Sequence, residues 1–178
     1  MKIALIGTHG TGKTTLAHDL VSSLSKEGYN ADMLKEVVRD IPPNLPVNER
    51  LTKESAEWIM YTQYARELEL ERLGQILICD RSVMDAYVYY RNKFNYDLVM
   101  EEFAKEKTKT YKRIFKVPIN KMELREDSFR STNKDFQKSI DEKFYEVLRN
   151  LEVPYNEYKD LETALKIIKE DYASLKQI

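Results

Sequence analysis

The strongest constraint on how this chain folds lies in its first twenty-six residues. An apolar, β-branched run, Ile3–Ile6, leads directly into Gly7-Thr8-His9-Gly10-Thr11-Gly12-Lys13-Thr14. From Lys13 to about Lys26, Leu16, Leu20 and Leu24 recur every fourth residue, which predicts a helix with one apolar face. The loop thus has the spacing G-x-x-x-x-G-K-[ST], with a strand before it and a helix after it, the context that a phosphate-binding loop requires. Its glycines let backbone N–H groups converge on phosphate oxygens without Cβ atoms in the way. The helix start adds a partial positive charge. In that setting Lys13 would neutralise the β- and γ-phosphates of a nucleotide, and the Thr14 hydroxyl would ligate Mg²⁺. Gly7, Thr8, His9, Gly10, Thr11, Gly12, Lys13, Thr14 and Thr15 are therefore the expected nucleotide-binding residues.

The remaining pattern alternates between strands and helices. "ADMLKE" reads as a strand ending near Glu36, and Pro42, Pro43 and Pro46 then exclude a helix or central strand. A long helix is expected over Glu54–Leu73, closed by Gly74. "QILICD" reads as a third strand ending at Asp80. Helices follow from Ser82 to about Asn92 and from Leu98 to Lys107. "YKRIFKVPI" reads as a fourth strand, Lys121–Asn133 as a polar loop, Lys134–Leu151 as a helix, and "VPYNEY" as a fifth strand before a last helix. This alternation predicts an α/β fold with a parallel sheet and helices on both faces. The chain reads as a single domain over residues 1–178, of ordinary size for one core. Ligands of such sheets bind beyond the carboxyl ends of the strands, so candidate site residues are sought there.

Asp80 ends the third strand and suits a carboxylate that holds Mg²⁺ together with Thr14. Arg81 follows it and could clamp an anionic group bidentately. Glu36 and Arg39, in "KEVVRD", would face the same crevice, where Glu36 could accept the proton of an attacking hydroxyl or bind a ribose. Arg125 and Arg130, in the polar loop, could close on a γ-phosphate and exclude water. His9 and His18, the two histidines, have no ligand-spaced company and receive no catalytic role. Tyr87, Tyr89 and Tyr90 read as packing residues, one of which could line a pocket.

With these residues in place, the sequence resembles a known family. "GTHGTGKTT", "KEVVRD", the long helix, "ILICDRSVMDAYVY", the polar loop and "FQKSIDEKFYEVLRNLEVPYNEY" are similar to the NadR-like AAA-domain family, P-loop ATPases typified by nicotinamide riboside kinases. "DRS" is also similar to the deoxynucleoside and thymidylate kinases. The resemblance implies a P-loop NTPase three-layer sandwich, with a five-stranded parallel sheet of nucleoside/nucleotide-kinase type and a small lid at about 120–133. It implies MgATP at the phosphate loop, Asp80 near the metal, a lid arginine at Arg125 or Arg130, and Glu36 and Arg39 facing the acceptor.

The expected activity is that of an ATP-dependent kinase, a phosphotransferase to an alcohol group. It would move the γ-phosphoryl of ATP to a hydroxyl of a nucleoside or related small metabolite. Two alternatives stay open: a kinase acting on a nucleic-acid or modified-base hydroxyl, and a nucleotide-switched ATPase or GTPase. Twenty-nine basic against thirty acidic residues favour neither a nucleic acid nor an anionic membrane as partner. The basic cluster at Lys105, Lys107, Lys109, Lys112 and Arg113 reads as a solvated face, with a polyanion footprint as the second reading. No run approaches the roughly 18 apolar residues of a membrane span. Cys79 is the single cysteine, which excludes a disulfide framework. The N-terminal run is strand-like rather than leader-like, so the expected location is cytoplasmic.

Overall fold

The computed structural model describes residues 1–72, 74–119 and 131–175. Five strands, β1 (Lys2–Ile6), β2 (Ala31–Leu34), β3 (Ile76–Asp80), β4 (Arg113–Lys116) and β5 (Asn156–Glu157), form one sheet in the order β2-β3-β1-β4-β5. Every pairing is parallel, with Leu5 opposite Asp80 on one side and opposite Phe115 on the other. The helices are α1 (Lys13–Lys26), α2 (Lys53–Leu70), α3 (Val83–Lys93), α4 (Leu98–Thr108), α5 (Lys134–Asn150) and α6 (Leu161–Leu175).

The central strands are buried on both faces, and their side-chain alternation assigns each residue to one of two cores. Ile3, Leu5, Ile76, Ile78 and Phe115 pack with Leu16, Leu20 and Leu24 of α1 and Ala164 and Ile168 of α6. Ala4, Ile6, Leu77, Cys79 and Ile114 face the opposite way, against α2, α3, α4 and α5. The result is the expected P-loop NTPase α/β sandwich of three layers, with β1 in the middle between β3 and β4. No helix among the described residues is long and apolar enough to cross a membrane.

Several boundaries differ from the sequence reading. The β2 ladder stops at Leu34, so Glu36 is not a strand residue but precedes a short 3₁₀ turn at Val37–Asp40, where Arg39 N donates to Glu36 O. Helix α2 ends at Leu70, where Glu71 turns to extended backbone; Leu73 lies outside the described residues. In "VPYNEY" just Asn156 and Glu157 pair with β4, because Pro154 lacks the N–H that a longer edge strand would use. The lid expected at about 120–133 falls mostly on residues 120–130, outside the described residues, and Arg125 and Arg130 lie there.

Candidate functional site

The site gathers at the carboxyl ends of β1 and β3. Chain geometry shapes the phosphate loop before any ligand does. Gly7 leaves β1 with φ +137, and a Cβ placed on it would stand 2.7 Å from the Val117 carbonyl oxygen. Gly12, at φ 85, forms the left-handed N-cap of α1, a conformation that costs a residue with a Cβ about 1–2 kcal/mol. Inside the loop, Lys13 Nζ donates to Thr8 O and, at 3.1 Å, to Thr11 Oγ1. Burial lowers the Lys13 ammonium from 10.5 to about 7, Arg81 pushes in the same direction, and Asp85, Asp80 and Glu36 oppose it.

The hydroxyl and carboxylate expected to share a metal do meet. Thr14 Oγ1 donates to Asp80 Oδ2 at 2.6 Å, across 66 residues of sequence. One hydroxyl and one carboxylate offer two hard oxygens at a single point. This donor set fits Mg²⁺, which binds through one or two protein oxygens and keeps waters and phosphate oxygens as its other ligands. No group of three or more His, Cys, Asp or Glu able to hold a metal occurs among the described residues.

Arg81 is the hub of the side expected to face an acceptor. It adopts left-handed backbone at φ 84, and its Nε donates to Glu36 Oε1 at 2.6 Å. Its Nη1 reaches Gly7 O at 3.4 Å and Asp85 Oδ1 at 3.5 Å. Glu36 Oε2 also pairs with Arg39 Nε at 3.2 Å, on a side chain 38% exposed against 4% for Glu36. Of the expected pair, Glu36 is therefore the inward member and Arg39 the outward one. Glu36 and Arg81 line a narrow cavity with Val37, Val47, Leu51, Ile59, Asp85 and Tyr89. The same two residues also line the pocket formed by Gly10–Thr14 and Asp80, so the two spaces share a wall.

Three groups of site residues escaped the sequence reading. Asp85 accepts from Ser82 N at 2.8 Å and from Gly7 N at 3.3 Å, joining the α3 cap to the phosphate loop. Burial raises its carboxyl pKa, against the pull of Arg81 and Lys13. The S-x-x-D spacing of Ser82 and Asp85 is a capping-box signal that could have found it. Gln63 Nε2 donates to Arg81 O at 3.2 Å and to Glu67 Oε1 at 2.9 Å. Tyr111 donates its hydroxyl to Glu67 at 2.6 Å and accepts from Val83 N, and Lys2 Nζ meets Glu67 Oε2 at 3.3 Å. This buried network braces the left-handed turn at Arg81 from behind. No local pattern marks it, because its members come from β1, α2 and the turn between α4 and β4. Of the three tyrosines, Tyr87 and Tyr90 are core residues, and Tyr89 is the one at a pocket.

The remaining candidates lie apart. Thr15 and His18 are exposed on α1. The basic cluster sits at the start of β4 and the end of α4, at the amino-terminal end of the sheet, opposite the phosphate loop. There Lys105 and Lys107 complement the C-terminal end of the α4 dipole, and Arg113 forms a two-pronged pair with Asp171.

A family model described as an AAA domain matches residues 2–163. The chain belongs to the AAA-domain family. This match, together with the relatives that follow, supports a P-loop family similar to nucleoside and nucleotide kinases, as the sequence resemblance implied. A protein named as a probable thymidylate kinase from Thermoplasma acidophilum is 35% identical over 95 residues, covering 50% of this chain and 46% of that protein. With a second Thermoplasma relative the match covers 55% of its length, so the chain spans about half of the relatives it matches. Among solved structures, NadR in complex with NAD and AMP-PNP superposes with TM-score 0.75 at 15% identity, over 97% of this chain and 49% of that one. Deoxyadenosine kinase from M. mycoides with bound dATP gives TM-score 0.62 at 17% identity, over 96% and 98%. At such identities the likeness establishes the AAA-domain chain's fold.

Proposed function

We propose that this protein transfers the γ-phosphoryl group of MgATP to a hydroxyl of a nucleoside or related small metabolite. The observation that carries the reading is the shared wall. Glu36 and Arg81, 2.6 Å apart, border both the phosphate-loop pocket and the apolar-walled cavity beside it. A phosphoryl group held at the loop would face an acceptor in that cavity with a carboxylate and a guanidinium between them.

Each residue then has a task. Backbone N–H groups of the loop and Lys13 bind the phosphates, whose negative charge restores the Lys13 ammonium that burial weakens. Thr14 and Asp80 would hold Mg²⁺, which when bound neutralises phosphate charge. Glu36 accepts the proton as the acceptor hydroxyl oxygen bonds to the γ-phosphorus; the bond to the β–γ bridging oxygen breaks, and ADP leaves. Arg81 orients Glu36 and presents positive charge to the transferring group. Such transfer depends mainly on positioning and charge stabilisation.

The charges favour a neutral acceptor. Glu36 and Asp85 put two carboxylates on the cavity wall, and Arg81 is engaged by both. A hydroxyl can donate to Glu36, whereas an acceptor phosphate would meet these carboxylates at close range. The thymidylate kinase relatives favour a second reading, a nucleoside monophosphate as acceptor. A panel of nucleosides and nucleoside monophosphates, scored by acceptor-dependent ADP release, separates the two. Turnover with nucleosides is expected, and Glu36→Gln should lower it about 10²- to 10⁴-fold while ATP binding changes little. Preference for monophosphates would overturn the neutral-acceptor reading. ADP release independent of any acceptor would instead identify a nucleotide switch.

A further inference from the structure

Helix α3 grips the phosphate loop at two alternate residues. Asp85 and Tyr89 stand one turn apart on the same face. Asp85 Oδ1 takes the Gly7 N–H at 3.3 Å, and the Tyr89 hydroxyl takes the His9 N–H at 3.1 Å. The same hydroxyl lies 3.1 Å from His9 Nδ1. From the other side α5 holds the same residue: Gln137 Nε2 donates to His9 O at 2.8 Å, and the His9 ring stacks on Phe136 at 5.7 Å. The Tyr89 ring, meanwhile, is a wall of the cavity beside the loop. The Arg81 guanidinium lies 5.5 Å from its centroid, and Phe136 packs edge-on to it at 6.1 Å. One side chain therefore has its polar end on the phosphate loop and its apolar body in the neighbouring cavity.

We propose that Tyr89 is a positioning residue that ties the geometry of the phosphate loop to the acceptor cavity. Its hydroxyl sets the backbone at His9, and its ring forms the surface against which the acceptor rests. The acceptor half rests on the kinase reading above; the phosphate-loop half does not. A molecule that settles the ring also settles the loop, and coupling of this kind is reciprocal between the two ligands.

Tyr89→Phe keeps the ring and its packing and removes the hydroxyl. Calorimetric titration with Mg²⁺ and a non-hydrolysable ATP analogue, with no acceptor present, should show affinity about fivefold weaker than wild type, the scale of one hydrogen bond. The thermal midpoint should fall by about 2–4 °C at most, the scale of one lost hydrogen bond, and the KM for a turned-over nucleoside should stay within about twofold. Tyr89→Leu, which loses the ring as well, should raise that KM too. Equal analogue affinity in wild type and Tyr89→Phe would overturn the proposal. So would equal losses for both ligands in Tyr89→Phe, since Tyr89 would then be a packing residue. The calorimetric arm contains no acceptor, so its result stands apart from the fate of the kinase reading.

Discussion

Binding of a nucleotide at the phosphate loop should take up a proton, and the amount follows from Lys13. In the free protein, burial and the neighbouring Arg81 hold its ammonium at about 7 rather than 10.5. A bound phosphate supplies the opposite charge that burial withholds and returns Lys13 toward its ordinary value. Between those two values the free protein is mostly neutral at Lys13 and the complex is charged, so binding carries a proton onto the side chain. At pH 8 the uptake should be about 0.9 proton and at pH 6 about 0.1. The sign is fixed: affinity falls as pH rises through 7. From pH 7 to pH 9 it should drop about fiftyfold, roughly 2.3 kcal/mol. Calorimetry with Mg²⁺ and an ATP analogue, in two buffers of different ionisation enthalpy, measures the uptake directly. Lys13→Gln should abolish it. Uptake near zero at pH 8 in the wild type would mean that Lys13 is already charged when free and that burial does not hold its ammonium down.

Stability tests probe the frame around the site. Gly7→Ala should cost about 2–4 kcal/mol in urea unfolding, from left-handed strain added to contact with the rigid Val117 carbonyl; an unchanged midpoint would refute that close approach. Glu67→Ala strips Lys2 of its buried partner and leaves it the half-exposed Glu71 at 3.4 Å, for a loss of about 3 kcal/mol. Replacing both ends, Lys2→Met with Glu67→Leu, should recover part of that loss, since Tyr111 and Gln63 still lose their buried acceptor, and a double variant less stable than the single would refute the pairing.

Features carried by contiguous chain were legible without coordinates. The phosphate loop is one, because its function needs a strand, a glycine-rich turn and a helix in immediate succession. The Thr52 cap that opens α2 is another, since the capping oxygen and the Ser55 N–H that donates to it lie three residues apart. Asp80 and Arg81 were legible as the end of an apolar strand. The pattern of strands and helices implied a parallel sheet, and the sheet order put β1 and β3 side by side. Short edge elements read less well, because the length of β5 depends on which of its N–H groups find a partner.

Contiguous residues specify the phosphate loop, the α/β class and the strand ends where chemistry gathers. Tertiary structure alone decided which side chains meet there. Glu36 and Arg81 lie 45 residues apart, and nothing local says that one carboxylate turns inward to the guanidinium while Arg39 turns out. The grip of Asp85 and Tyr89 on the loop depends on the phase of α3 against β1. The brace behind Arg81 depends on three separate elements burying Lys2, Glu67 and Tyr111 together. Local sequence specifies backbone conformation through short-range sterics and hydrogen bonding. Pairings between distant side chains follow from the packing of whole elements, and here that packing separates a phosphate-loop pocket from the cavity beside it.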